Sequence, residues 1–192
     1  MIVHCQNIDE KGLRQVSALW SYLEYCLTPD ECCADIFSAP LDELIKNGVA
    51  GILLDVDGTI VESGMSEVSE EVVWWVRSLV EQGLKVCIVS NSRQKWRIAK
   101  IAEKLELPYV CHAAKPLRGG LRRAACLLEL NPNQLTIIGD RLLTDVLGGK
   151  RLRMFTVRVE GANLHGRGLM AWLVRLLEGC FASMHRSRFS RL

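Results

Sequence analysis

Two carboxylates, Asp55 and Asp57, stand two residues apart at the end of the apolar run Ile52-Leu53-Leu54, and Gly58 and the hydroxyl of Thr59 follow directly. The run is short, partly β-branched and opened by Gly51, which reads as a buried strand. In an extended segment residues i and i+2 project to one side, so both carboxylates would leave the strand's carboxyl end together. That is where open α/β sheets bind ligands. Paired carboxylates repel, and the pair is tolerable when a cation sits between them or one holds a proton. The alternative is a plain turn, since Asp-Gly is common turn chemistry.

Other strand-like runs also end in polar groups. Residues 85–90 finish at Ser90, followed by Asn91, and residues 135–140 finish at Asp140, with Asp145 five positions later. A short strand over 108–111 leads to Lys115-Pro116, and residues 155–159 form a fifth run. Helices alternate with these strands. One starts near Ser69, where Glu70 and Glu71 suit the positive end of a helix dipole. Val72, Val73, Val76, Leu79 and Val80 form its stripe, and Gly83 ends it. Others are expected over 93–105, 118–130 and 168–181, with a short one over 142–147 that Gly148-Gly149 breaks. Before the first strand, residues 11–27 have apolar residues at helical spacing, with Trp20 and Tyr22 as packing residues, and short helical pieces follow near 36–37 and 40–45. Strands alternating with helices predict an α/β domain with a parallel sheet of about five strands and a helical N-terminal extension.

Composition narrows the class. At 192 residues, 49% apolar and 24% charged, the chain suits one globular domain with a substantial core. A net charge of +2 gives no general case for a nucleic-acid partner, and none is expected. The eight cysteines include no Cys-x-x-Cys pair, which favours reduced thiols and a cytoplasmic setting; Cys87, Cys126 and Cys180 read as small hydrophobes. The first ten residues lack a basic region followed by an apolar one, so neither signal nor transit peptide is expected. No stretch approaches 18 apolar residues, so no membrane span is expected. His4, His112 and His165 show no metal-ligand spacing, and Arg118, Arg122 and Arg123 read as a solvated helix face.

Singly, each polar strand end is ordinary. Together and in this order they resemble the haloacid-dehalogenase-like phosphohydrolases, over residues 47–160. That family's Asp-x-Asp-x-Thr motif is matched by Asp55-Val56-Asp57-Gly58-Thr59, its strand-end Ser or Thr by Ser90, its Lys by Lys115, and its Gly-Asp-x-x-x-x-Asp by Gly139 to Asp145. The resemblance implies a three-layer Rossmann-like core. It implies Asp55 as the nucleophile that forms an aspartyl-phosphate, and Asp57 as the acid and then the base. It implies Mg2+ held by Asp55, Asp57 (through its carbonyl) and Asp140, with Asp145 orienting Lys115 or joining the metal. Gly58, Thr59, Ser90, Asn91 and Lys115 would hold the phosphoryl oxygens. A phosphomonoester is itself anionic, so such a site must neutralise it before a nucleophile can approach.

Family members with large caps insert them after the first motif or between the second and third. Residues 60–84 and 92–114 leave no room for one, so the resemblance implies a capless, open site that accepts a phosphate at the end of something large. The domain reading is an extension over 1–47, the phosphatase domain over 48–182 and a basic tail over 183–192.

A closer similarity runs over residues 27–160. The stretch from Gly139 to Arg151, with Leu27 to Glu31, Ile36-Phe37 and Leu44 to Gly51, is similar to the bacterial YqeG-like phosphatases, which are akin to organellar phosphatidylglycerophosphate phosphatases. The chain departs from them at Gly58 and Ser92, where Asn is expected, and at Arg141, where Gln is expected. The similarity implies a phospholipid headgroup phosphate as substrate and a role in phosphatidylglycerol synthesis. A phosphoprotein, a nucleic-acid end and a soluble phosphoester remain open, as does a binding or assembly factor without turnover, although such a factor has no need of Asp57. Leu169, Trp172, Leu173, Leu176, Cys180 and Phe181 share one helical face near Arg175, and arginines follow in the tail. That pattern suits peripheral contact with an anionic membrane, or a helix packed on the sheet with a solvated tail.

Overall fold

The computed structural model describes residues 20–160. The expected helix over 168–181, the basic tail, His4, His165 and the first part of the N-terminal helix lie outside the described residues.

An apolar run without polar interruption must be covered on both faces, which a parallel sheet between helix layers provides. The strands are β1 (Glu31–Cys33), β2 (Gly51–Leu54), β3 (Lys85–Val89), β4 (Tyr109–Val110), β5 (Leu135–Gly139) and β6 (Phe155–Val159). All pair in parallel, in the order β1-β6-β5-β2-β3-β4. The helices are α1 (residues 20–27), α2 (Leu41–Lys46), α3 (Glu70–Glu81), α4 (Lys95–Leu105), α5 (Arg118–Leu128) and α6 (Leu147–Lys150). Alternation along β2 sends Ile52 and Leu54 to one face, where they join residues of α3 and α4 such as Leu79 and Ile101. Leu53 faces the other way, into a cluster with Leu121 and Leu128 of α5. The result is a three-layer α/β sandwich, and Ile52, Leu53 and Leu54 are wholly inaccessible at its centre.

Several details differ from the sequence reading. The sheet has six strands rather than about five, because Glu31–Cys33 adds an edge strand beside β6 inside the segment expected to be helical. It is three residues long and only Cys33 is buried, so it carries no readable alternation. Gly148-Gly149 does not break its helix; α6 runs through both glycines. They are small because a Cβ on Gly149 would lie 2.6 Å from Ile137 Cγ2 and 2.7 Å from Thr156 Cγ2, so the helix rests directly on the sheet. In α3 the stripe is rotated: Val80 is half exposed and Trp75 is buried in its place. Tyr22 is exposed rather than packed, and Cys126 and Cys32 are exposed while Cys87 is buried. No helix among the described residues is long and apolar enough to cross a membrane.

Candidate active site

In-register pairing brings the strand ends together. Leu54 lies level with Ile88 of β3 and Ile138 of β5, so Asp55, Ser90 and Asp140 emerge at one edge. Asp55 itself extends the ladder by donating its N–H to Ile138 O at 3.0 Å. Lys115 reaches this edge from the loop after β4. Its Nζ lies 2.6 Å from Asp55 Oδ1 and 2.5 Å from Asp145 Oδ1, and donates to Val89 O at 2.7 Å. The loop is fixed by Asn91, whose amide donates to Lys115 O at 2.9 Å and accepts from Lys115 N at 2.7 Å. The Asn91 side chain therefore serves Lys115. Ser90 is buried, and its Oγ accepts from Ser92 N at 3.1 Å.

After β5 the chain makes a wide helical turn, Leu142–Val146, that points Asp145 inward. Asp145 Oδ2 accepts from Arg141 N and Thr144 Oγ1, each at 3.2 Å. Gly139 permits this, because a Cβ there would sit 2.5 Å from Asp145 Cγ. Gly58 plays a parallel part on the other side. Its φ of +86° is a conformation most side chains avoid, and a Cβ would lie 2.5 Å from Asp140 Oδ2.

Carboxylate oxygens of Asp55, Asp140 and Asp145 lie within 4.8 Å of one another. Lys115 is the buried cation among these three acids, and the more exposed Arg141 lies 3.8 Å from Asp140 Oδ1. Burial first, then the neighbouring Asp145 and Asp140, push the Asp55 carboxyl up to about 6 against the pull of Lys115. Burial and Asp145 also raise Asp140. For Lys115, burial acts to lower the ammonium, and Asp145 and Asp55 outweigh it, so it is raised and stays charged. Asp140 Oδ1 and Thr59 Oγ1 are buried without a hydrogen-bond partner. Excess negative charge and a buried orphan carboxylate oxygen fit a hard divalent cation with oxygen ligands.

The Asp57 carboxylate is not part of that trio. Its Oδ2 accepts from Arg97 NH2 at 2.7 Å and its Oδ1 from Gly64 N at 2.9 Å. Burial acts to raise it, but the Arg97 and Gly64 hydrogen bonds and the charges of Arg97 and Arg141 win, so it is held below the usual carboxylate range. A recess of about 210 Å³ is lined by Asp55, Asp57, Ser90, Asn91 and Lys115, together with Ser92, Thr144 and Arg141. Seven of the sequence-predicted site residues thus line this recess or join the acidic trio, Gly58 backs Asp140, and Thr59, next to it in sequence, is half-buried with its Oγ1 enclosed. Two of the three departures from the closer similarity, Ser92 and Arg141, are in the recess wall. Arg97 escaped the sequence reading. Its signal was a charge on the core stripe of α4, next to Ile98 and one turn from Ile101.

A family model described as haloacid dehalogenase-like hydrolase matches residues 35–153. The probable phosphatase YqeG of Bacillus subtilis is 37% identical over 131 residues, 68% of this chain and 76% of that protein. The chloroplastic phosphatidylglycerophosphate phosphatase 1 of Chlamydomonas reinhardtii is 25% identical over 181 residues, 90% of this chain and 67% of that protein. Among solved structures, a HAD phosphatase from Thermococcus onnurineus aligns with 54% of this chain and 50% of its own, at 22% identity and a TM-score of 0.45.

Proposed function

Because the chain belongs to the haloacid dehalogenase-like hydrolases, and is a phosphatase of that family, we propose that it is a Mg2+-dependent phosphomonoesterase working through Asp55 on a phospholipid headgroup phosphate, that of phosphatidylglycerophosphate. Asp55 attacks phosphorus and the bond to the leaving oxygen breaks; Asp57, which Arg97 holds ionised in the free protein, takes up a proton from solvent as the anionic substrate binds and gives it to that oxygen. Water then attacks the aspartyl-phosphate, Asp57 takes the water's proton, and inorganic phosphate leaves with Asp55 restored. Lys115 holds the attacking carboxylate and one phosphoryl oxygen, and the Ser90 hydroxyl and the N–H groups near Gly58 and Thr59 hold others. Mg2+ would be held by Asp55, Asp140 and the Asp57 carbonyl, with Asp145 orienting Lys115, and would supply neutralisation of phosphoryl charge.

The observation that carries this reading is the buried Asp55–Lys115–Asp145 chain beside an Asp140 oxygen with no hydrogen-bond partner. The lipid substrate is supported by the similarity to the chloroplastic phosphatase over most of the chain. It is also supported by an uncovered recess: among the described residues, one loop and α3 follow β2, and α4 follows β3. In this proposal residues 48–182 form the catalytic domain, and residues 168–192 meet an anionic membrane from the cytoplasmic side. The test is Mg2+-dependent phosphate release from phosphatidylglycerophosphate in mixed micelles, with Asp55→Asn beside the wild type. Release lost in the variant is the expected result. No release from lipid, with variant-sensitive release from an aryl phosphate, would keep the enzyme and discard the lipid. Failure to sediment with anionic vesicles at low salt would discard the membrane contact.

A further inference from the structure

We propose that Arg97 is the positioning residue for Asp57, and that through the Met65 carbonyl it ties the place of Asp57 to the loop over residues 61–69; the proposal rests on the phosphatase reading above. Arg97 is 3% exposed, on the core face of α4. A guanidinium there is costly unless its donors are spent well. Arg97 spends two, NH2 on Asp57 Oδ2 and NH1 on Met65 O, each at 2.7 Å, and its Nε has no hydrogen-bond partner. Among the described residues the group is therefore oriented by Asp57 and Met65.

Asp57 lies beyond the end of β2, so the strand does not fix its side chain. Its two oxygens are held by α4 through Arg97 and by the loop through Gly64 N. The loop is in turn held to α4 at two points, Met65 O by Arg97 and Val68 O by Lys104 Nζ at 2.7 Å. Arg97 makes the only ion pair to Asp57 among the described residues. One side chain thus aligns the acid that serves the leaving oxygen and, later, the base that serves water. Misalignment should damage both proton transfers and leave the attack by Asp55 intact.

Two esters separate these steps. An alkyl phosphate such as glycerol 2-phosphate has a poor leaving group and needs the proton from Asp57. The 4-nitrophenyl ester expels a stable phenolate without it, but its aspartyl-phosphate must still be hydrolysed with Asp57 as base. For Arg97→Met the expected result is a fall in kcat/KM of about a hundredfold on the alkyl ester and within about threefold on the aryl ester. Aryl turnover should also show a burst of 4-nitrophenol that the wild type lacks. Guanidinium ion added to Arg97→Ala should restore alkyl turnover, and Lys104→Met, which frees Val68 O but leaves the Gly64 and Met65 contacts in place, should keep the wild-type ratio between esters. Equal losses on both esters with no burst would overturn the proposal, as would Lys104→Met reproducing the Arg97→Met pattern. A wild type inactive on both esters and on phosphatidylglycerophosphate in mixed micelles would remove the reading of hydrolysis through Asp55, and this proposal with it.

Discussion

Two lysines are buried at opposite edges of the sheet, and each binds a carboxylate, yet their surroundings differ in charge. At the amino edge Lys150 Nζ meets Asp30 Oδ1 at 2.5 Å and lies 4.8 Å from the Tyr25 ring centroid. Asp30 Oδ2 accepts from Thr156 N and Thr156 Oγ1, each at 2.8 Å, and Asp30 N donates to Thr156 O at 3.0 Å. One ammonium faces one carboxylate, whose second oxygen is fully used. This clasp fastens β1 to β6. At the carboxyl edge Lys115 faces two carboxylates, with Asp140 close by and one Asp140 oxygen without a hydrogen-bond partner, 3.8 Å from Arg141 Nε. A buried ion pair built for the fold is balanced, whereas the site carries a surplus of negative charge that the proposed cation would offset.

Replacing the acid at each lysine should break the symmetry between them. Asp55→Asn should remove the proposed nucleophile and cost at least about 10⁴-fold in phosphate release, measured by a discontinuous phosphate assay. It should also raise the melting temperature of the metal-free protein, because the neutral amide relieves the crowding that lifts the Asp55 carboxyl to about 6. Asp30→Asn should do the reverse. It strips Lys150 of its counter-charge and should destabilise by about 3 kcal/mol in urea unfolding, with kcat of the folded fraction unchanged. Equal signs for the two variants would mean that the site is no more strained than the clasp.

The surplus also predicts a pH dependence. A carboxyl raised from 3.8 to about 6 contributes stability that is complete below about pH 4 and lost as pH rises through about 6. The raised Asp140 acts in the same direction. The raised Lys115 stays charged throughout this range and adds no slope. The metal-free protein should therefore lose on the order of 2 kcal/mol from Asp55 between these limits, and excess Mg2+ should return most of it above pH 6. Scanning calorimetry with and without MgCl2 at about pH 5 and about pH 8 should show a rise of several degrees only at the higher pH. A rise of the same size at both would break the link between crowded carboxylates and cation.

Which parts were legible in the sequence follows from the same physics. Asp55, Ser90, Lys115 and Asp140 stood out because each ends or follows an apolar run, and a charge there has no packing purpose. The clasp was not legible. Asp30 and Lys150 are 120 positions apart, and β1 offers one buried residue to reveal a strand. Arg97 was hidden for the opposite reason: it sits within a helical stripe whose other members are apolar, and a single charge at helical spacing blends into the solvated face. Gly148-Gly149 misled because glycine usually ends helices, while here it permits contact with the sheet.

A pair of glycines gives the smallest and sharpest comparison, one next to Lys150 and one against Asp140 of the site. Gly149 precedes Lys150, and a Cβ there would press on Ile137 Cγ2 and Thr156 Cγ2. Both are β-branched side chains within the sheet and cannot swing aside, so Gly149→Ala should cost about 1–3 kcal/mol in unfolding experiments without altering kcat. Gly58 meets the free end of Asp140, which can turn, and its φ of +86° lies toward the left-handed region that Asn tolerates better than other side chains. Gly58→Asn should therefore leave the melting temperature within a few degrees, and Gly58→Ala should lower it more, by about 1 kcal/mol of backbone strain. The Asn variant should register at the cation instead, since any turn of Asp140 changes the ligand set. The expected reading is a severalfold change in the Mg2+ concentration at half-maximal phosphate release, at constant fold stability. If Gly58→Asn destabilises as much as Gly149→Ala and leaves the Mg2+ midpoint unmoved, Asp140 is packed as rigidly as the clasp, and the distinction between a balanced pair and a site in waiting fails at its most sensitive point.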